Sequence, residues 1–236
     1  MKISGLQKMT LLDYPGKVAC TVFTQGCNFR CPFCHNSDLL GAEGSYRVET
    51  EELMAFLKKR VGLLDAVCIT GGEPTLQKDL PELLEQIKAL GYLIKLDTNG
   101  TRPQVVKELV ERGLVDYVAM DIKNSPARYG ETAGLSRMEL TALEETMQFL
   151  MAGVVDFEFR TTVVAQLHSA EDMQQIGQWL EKLSPNKKPA KLFLQVYTDR
   201  DSVLMGGLSA HSKETMEKFK DILAPYADKV EIRGMN

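Results

Sequence analysis

Short runs rich in β-branched and aromatic residues alternate with apolar repeats of helical period from one end of the chain to the other. The runs predict strands at 18–23, 66–70, 93–97, 116–121, 156–163 and 191–196, with a short one at 229–232. Between them Leu80, Leu83, Leu84, Ile87 and Leu90 recur at the spacing of one helix face, opened by Pro81 and closed by Gly91. Further stripes are Leu53, Phe56 and Leu57; Val105, Val106, Leu109 and Val110; and Leu140, Leu143, Met147 and Leu150. Met173, Ile176, Leu180 and Leu183 make another, as do Met216, Phe219 and Leu223. Ser169, three residues before Asp172, is placed as an N-cap with an acid in the first turn.

Strand and helix in alternation predict a parallel sheet with crossover helices. Eight-fold closure typically takes about 250 residues or more. At 236 residues the expected class is therefore α/β, a partial (β/α)6-type barrel with outer helices, with a flat doubly wound sheet as the competitor. One domain is expected over 1–236, divided into an N-terminal segment 1–17, a barrel core 18–200 and a C-terminal helix and strand 201–236. The least regular stretches are 1–17, 35–47, 124–136 and 197–211.

Charge and hydropathy narrow the class of partner. Twenty-eight Lys+Arg against 32 Asp+Glu give a net charge of −4, and no basic block exceeds Lys58-Lys59-Arg60, which argues against a nucleic-acid binder. The longest apolar stretches, as at 149–155, fall far short of the roughly 20 residues a membrane span needs. Residues 1–17 carry Lys2, Lys8, Asp13 and Lys17 and no apolar signal region, so a cytoplasmic protein with no membrane partner is expected.

Cysteine usage carries the first chemistry. Three of the five Cys sit together as Cys27-x3-Cys31-x2-Cys34. Without a secretory signal, metal ligation explains that cluster better than a disulfide framework. Three thiolates at this spacing suit one compact loop around a 4Fe–4S cubane, which ordinarily takes four Cys. No fourth follows, so one iron is left open to a ligand. The competing readings are a structural zinc site and an electron-transfer cluster. Zinc favours paired Cys spacings, and His35, next to Cys34, is poorly placed to share that ion. Cys20 and Cys68 lie in apolar strands and read as buried, inert thiols.

In parallel βα folds the active site forms at the C-terminal strand ends, and polar residues collect there. The first predicted strand runs into the cysteine loop and the second into Gly71-Gly72-Glu73-Pro74, where two residues without a β-carbon give a ligand access to the backbone. The third ends in Asp97-Thr98-Asn99-Gly100, which could be merely a turn, and the fourth in Asp121-Ile122-Lys123. In the fifth, alternation turns Phe157, Phe159 and Thr161 toward the helices and Glu158, Arg160 and Thr162 inward. A salt bridge within the barrel is the plain reading of Asp121, Lys123 and Arg160, because unpaired buried charges are costly.

The Cys27-x3-Cys31-x2-Cys34 spacing, with Phe33 before the third Cys, resembles the signature of the radical S-adenosylmethionine superfamily, and Gly71-Gly72-Glu73-Pro74 resembles its second motif. Leu11-Leu12-Asp13-Tyr14-Pro15-Gly16, Gln25-Gly26-Cys27 and Cys34-His35-Asn36 are more narrowly similar to the glycyl-radical-enzyme activases. Among these the chain looks most like the activating proteins of anaerobic ribonucleoside-triphosphate reductase. The resemblance covers residues 1 to about 165. It implies one 4Fe–4S cluster held by Cys27, Cys31 and Cys34. S-adenosylmethionine on the open iron would be cleaved reductively to a 5′-deoxyadenosyl radical, which takes hydrogen from a backbone glycine of a partner enzyme. Phe33 and Asn36 would lie near the cofactor, Gly71, Gly72 and Glu73 would receive its amino group, and Asp97, Thr98, Asn99, Asp121, Lys123 and Arg160 would surround the rest. In some activases the two matching aspartates and the Thr also hold a monovalent cation. Asp13 would meet the partner's peptide. A one-electron donor such as flavodoxin or ferredoxin is implied.

Residues 35–65 lack the extra Cys of activases with a ferredoxin-like insert. The alternative function is a radical enzyme acting on a small molecule, such as a deazapurine precursor. An activase leaves its strand-end rim open to a protein loop, so residues 10–17 and the loops after the fourth and sixth predicted strands are expected to border that mouth.

Overall fold

A computed structural model describes residues 1–41 and 48–235. Its strands are β1 (Ile3–Thr10), β2 (Ala19–Thr24), β3 (Ala66–Gly71), β4 (Leu93–Thr98), β5 (Tyr117–Asp121), β6 (Asp156–Val163), β7 (Leu192–Val196) and β8 (Val230–Arg233). The helices are α1 (Thr50–Lys58), α2 (Leu80–Ala89), α3 (Pro103–Glu111), α4 (Tyr129–Ala133), α5 (Thr141–Met151), α6 (Ala170–Leu183) and α7 (Lys213–Leu223). The eight strands form one sheet in chain order with β1 and β8 at its ends, and the crossovers β2–β3, β3–β4, β6–β7 and β7–β8 are parallel. The α/β class with parallel strands and outer helices is the one expected.

Two readings of the irregular stretches need correction. Residues 3–10 are not irregular but form β1, antiparallel to β2. Register shifts between Ile3 and Gly5 and between Gln7 and Thr10 break the alternation that would have revealed it. The stretch 124–136 contains α4, whose five residues are too few to show a periodic stripe. Of the stretch 35–47, residues 42–47 lie outside the described residues.

The chain divides into two compact units, one comprising residues 1–28 and 38–119, the other 29–37 and 120–236. In the first, Leu53 and Leu57 of α1, Leu83, Leu84 and Ile87 of α2, and Val106 and Leu109 of α3 are buried, as their spacing predicts. Burying each such side chain is worth about 1.5–3 kcal/mol. On one face of its strands Ala19, Ala66 and Leu93 pack with Tyr14 and Tyr117. One step along, Thr21, Cys68 and Lys95 stand side by side in register. In the second unit the inward alternation on β6 appears as polar pairs: Glu158 with Arg233 of β8, Arg160 with Asp121, and Thr162 with Gln195 of β7. Phe157 and Phe159 meet edge to face on the other side of that strand, 5.1 Å apart. The Ser169 capping box opens α6, with Ser169 Oγ accepting from the Asp172 N–H at 3.2 Å and Asp172 Oδ2 accepting from the Ser169 N–H at 2.9 Å.

Candidate active site

In the first unit two turns hold the arm of the cysteine loop that carries Cys27. The Gly72 N–H donates to Thr24 O at 3.0 Å and the Glu73 N–H to Gly26 O at 2.8 Å. A β-carbon on Gly72 would stand 2.0 Å from Gly26 O, and one on Gly71 2.3 Å from Thr24 N. On the side where a β-carbon would stand, both glycines are therefore packed against the chain's own backbone. On the other side of Cys27, Asn28 Oδ1 accepts from Asn99 Nδ2 at 2.8 Å and its amide donates to Thr101 Oγ1 at 2.9 Å.

Glu73 joins those two turns. Its side chain is 1% exposed; Oε1 accepts from Thr75 N, Thr75 Oγ1 and Thr98 Oγ1, and Oε2 from Asn99 N. Burial raises its pKa above the ordinary glutamate value, while the hydrogen bonds from Thr75, Asn99 and Thr98 oppose that shift. Asp97 has its partner on its own strand: the ammonium of Lys95, 2% exposed, pairs with Asp97 Oδ1. Neither Lys95 nor Asn28 was singled out from the sequence. Asp97 and Lys95, two apart on one strand face, were legible as a pair by the alternation applied to Asp121 and Lys123.

Asp13 reaches the same strand face, where its Oδ2 accepts from Thr21 Oγ1. Residues 11–18 join β1 to β2, and Val18 is bonded both ways to Asp65, just before β3. They therefore lie at the N-terminal ends of the strands, not at the C-terminal rim where they were expected, because an antiparallel β1 returns the chain to the start of β2.

The second unit carries the other arm. Arg30 N–H donates to Ala133 O at 2.9 Å, and a β-carbon on Gly134 would stand 2.0 Å from Arg30 O. Cys34 N–H donates to Cys31 O at 3.0 Å in a tight turn that buries Phe33, with Asn36 half-buried beyond it. His35 stacks on Tyr197 and its Nε2 lies 2.7 Å from Thr198 O, while Ser202 Oγ donates to His35 O at 2.7 Å.

Asp121, Lys123 and Arg160 come together there as expected. Arg160 Nε donates to Asp121 Oδ1 and Lys123 Nζ to Oδ2, both at 2.9 Å. Burial alone would raise the Asp121 pKa, but Arg160 and Lys123 hold it well below the usual carboxylate range. Asp121 likewise overcomes the effect of burial on Lys123 and raises its pKa, with a further contribution from Cys31.

None of the five cysteines is in a disulfide. Burial pushes Cys20 up to about 12 and Cys68 higher still, so neither supplies a thiolate near neutral pH. Among the described residues no three His, Cys, Asp or Glu side chains are set to hold a single metal ion. A cubane asks for something else, one thiolate at each of three corners, and the donor set of Cys27, Cys31 and Cys34 fits it. No helix among the described residues is long and apolar enough to cross a membrane.

Residues 21–150 match the family model described as the radical SAM superfamily. A Methanocaldococcus jannaschii protein assigned as a glycyl-radical enzyme activating enzyme is 31% identical over 99% of this chain and 96% of its own length. The pyruvate formate-lyase 1-activating enzyme of Escherichia coli is 28% identical over 97% of each. Among solved structures, a radical SAM methyltransferase from Sphaerobacter thermophilus superposes with a TM-score of 0.72 at 16% identity, covering 96% of this chain and 69% of that one, a likeness of fold.

Proposed function

Because the chain belongs to the radical SAM superfamily, an enzyme family that uses a 4Fe–4S cluster and S-adenosylmethionine, we propose that it activates a glycyl radical enzyme, anaerobic ribonucleoside-triphosphate reductase. The observation that carries the activase reading is end-to-end similarity to two activating enzymes, over 99% and 97% of this chain. The choice of reductase rests on the segment from Leu11 to Asn36. The electron donor is of the flavodoxin or ferredoxin class, and the setting is the cytoplasm.

Cys27, Cys31 and Cys34 would hold the cluster, which would supply the electron for reductive cleavage of S-adenosylmethionine and so the radical chemistry at the partner's glycine. The protein's share is binding and orientation. Gly71, Gly72 and Glu73 present backbone beside Cys27, with Glu73 fixing the turn through Thr98 and Asn99. Asp97 offers a carboxylate whose charge Lys95 balances. Asp121, Lys123 and Arg160 form a preorganised ion group for the cofactor's polar end, and Phe33 and Asn36 border it. Asp13, tethered through Oδ2 to Thr21 at the N-terminal ends of the strands, lies away from the C-terminal rim and takes no part in this reading.

The test is to reduce anaerobically reconstituted protein with S-adenosylmethionine and the reductase, and to look for a glycyl radical by EPR. A radical on the reductase, absent with Cys31→Ala, is expected. A radical formed only on another glycyl radical enzyme overturns the choice of partner. Cleavage of S-adenosylmethionine with no radical on any such protein overturns the activase reading.

A further inference from the structure

Some activases place a monovalent cation between two strand-end aspartates and a Thr, here Asp97, Thr98 and Asp121. In this chain each of those groups already has protein partners. Asp97 Oδ1 holds the Lys95 ammonium. Thr98 Oγ1 donates to Glu73 Oε1 at 2.8 Å and accepts from the Gly100 N–H at 3.1 Å. Asp121 gives one oxygen to Arg160 and the other to Lys123. A hydrated metal cation seeks oxygen donors with charge to spare. Here the Asp97 carboxylate of the first unit already carries the Lys95 ammonium. A second positive ion on Asp97 would be repelled by the Lys95 ammonium already there.

We infer that Lys95 is the built-in counter-ion of Asp97, a positioning residue that takes the place of an exchangeable monovalent cation at the cofactor site. Its setting suits that role. Lys95 stands in register with Cys68 and Thr21, is 2% exposed, and lies two residues behind Asp97 on one strand face. A buried ammonium needs a carboxylate partner, and Asp97, half-buried beside Lys95, gains in it a cation that does not wash out. The inference rests on the proposed reading only in placing Asp97 beside S-adenosylmethionine.

The experiment measures S-adenosylmethionine binding by the reconstituted protein in sodium, potassium and choline buffers of equal ionic strength, with thermal midpoints of the metal-free protein alongside. Wild type should bind equally in all three, with equal midpoints. Lys95→Met should bind roughly tenfold or more weakly in choline. Potassium or sodium should restore most of that loss and raise the variant's midpoint, an effect that damage to the fold alone would not show. Lys95→Gln gives the same comparison if the Met variant does not fold, since it keeps a donor toward Asp97 without the charge. Wild-type binding that demands potassium or sodium overturns the inference and leaves the functional reading standing. A charge-free variant that no inorganic cation rescues also overturns it. Failure of wild type to bind S-adenosylmethionine in any buffer removes the functional reading, and the inference with it.

Discussion

Each compact unit seats its arm of the cysteine loop against a glycine that leaves no room for a β-carbon, yet the two glycines are required on different grounds. Gly72 of the first unit has an ordinary backbone conformation and is demanded by contact alone, 2.0 Å from a would-be β-carbon to Gly26 O. Gly134 of the second ends α4 in the left-handed region at φ 70° and meets Arg30 O at the same 2.0 Å. The units also differ in how they settle a carboxylate. The first holds Glu73 with hydrogen-bond donors and no cation; the second holds Asp121 with two cations. One arrangement fixes a turn by geometry, and the other fixes a charge. A turn that must lie against the backbone of Cys27 needs the first, and a group that must meet a charged cofactor needs the second.

Replacing the glycines tests the seats and has the largest expected effect. Gly72→Ala should cost at least about 3 kcal/mol, since neither neighbouring backbone can yield without moving a strand end. Gly134→Ala should cost about 1–2 kcal/mol more, because alanine also resists the left-handed conformation. Both should hold less iron after anaerobic reconstitution. Denaturant midpoints and iron content check this, and a Gly72→Ala protein within about 1 kcal/mol of wild type would show that the close approach does not constrain the loop.

The carboxylates come next. Asp121→Asn removes the charge that Arg160 and Lys123 share, and should cost about 2–4 kcal/mol. Glu73→Gln sets an amide donor against either the Asn99 N–H or the Thr donors, whichever way it turns, and should cost about 2–3 kcal/mol. S-adenosylmethionine affinity should separate them at equal stability. It should fall in Asp121→Asn even when the remaining fold is intact, and fall in Glu73→Gln only as far as the Cys27 arm is loosened. Equal loss in both would mean that the two carboxylates do the same job.

These contrasts also mark what the sequence made legible. The strand and helix alternation was readable because the crossover helices carry wide apolar stripes, and strand limits fell within one residue of those observed. The strand-end polar residues were readable because alternation fixes which side chains share a face. Gly72 sat in a recognisable motif, whereas Gly134 did not: its need arises from the carbonyl of Arg30, more than a hundred positions away along the chain. Asn28 and Ser202 escaped for the same reason, since each matters through a tertiary partner. β1 escaped because register shifts broke its alternation and most of its side chains are exposed or half-buried. The ends of β2 and β3 announce themselves in sequence; what clamps them does not.

Acid titration sharpens the comparison at intermediate cost. Asp121 has a depressed folded pKa, so its contribution is complete above the ordinary aspartate value of about 3.9 and is lost as pH falls below it. Glu73 has a raised folded pKa, so ionising it costs the folded state more than the unfolded one. Stability should therefore fall as pH rises from the ordinary glutamate value of about 4.3 toward the raised value. Asp121→Asn should flatten the loss of stability on the acid side, and Glu73→Gln should remove the opposing slope above it. Denaturation curves across that range, recorded on metal-free protein so that the thiols do not contribute, read both signs directly. Slopes of one sign from both residues would contradict the division between hydrogen bonds and ions.

The smallest effects belong to the polar links that reinforce each arm. Asn28 ties the residue after Cys27 to Asn99 and Thr101 at 2.8 and 2.9 Å, and Ser202 ties His35 to the second unit at 2.7 Å. These are neutral hydrogen bonds at half-buried or exposed positions, where water replaces much of what is lost. Asn28→Ala should cost about 1 kcal/mol and Ser202→Ala about 0.5–1 kcal/mol, with the thermal midpoint moving by a few degrees at most. Neither should change the number of irons bound at saturation, because the backbone seats at Gly72 and Gly134 remain. What should change is how fast iron leaves under a chelator, since a less firmly held arm opens more often. Release should be faster from both variants than from wild type, and slower than from either glycine variant. If Asn28→Ala lost its iron as readily as Gly72→Ala, the first unit would be holding Cys27 by side-chain hydrogen bonds. Its contrast with the second unit would then shift from glycine contact to the pairing of two asparagines.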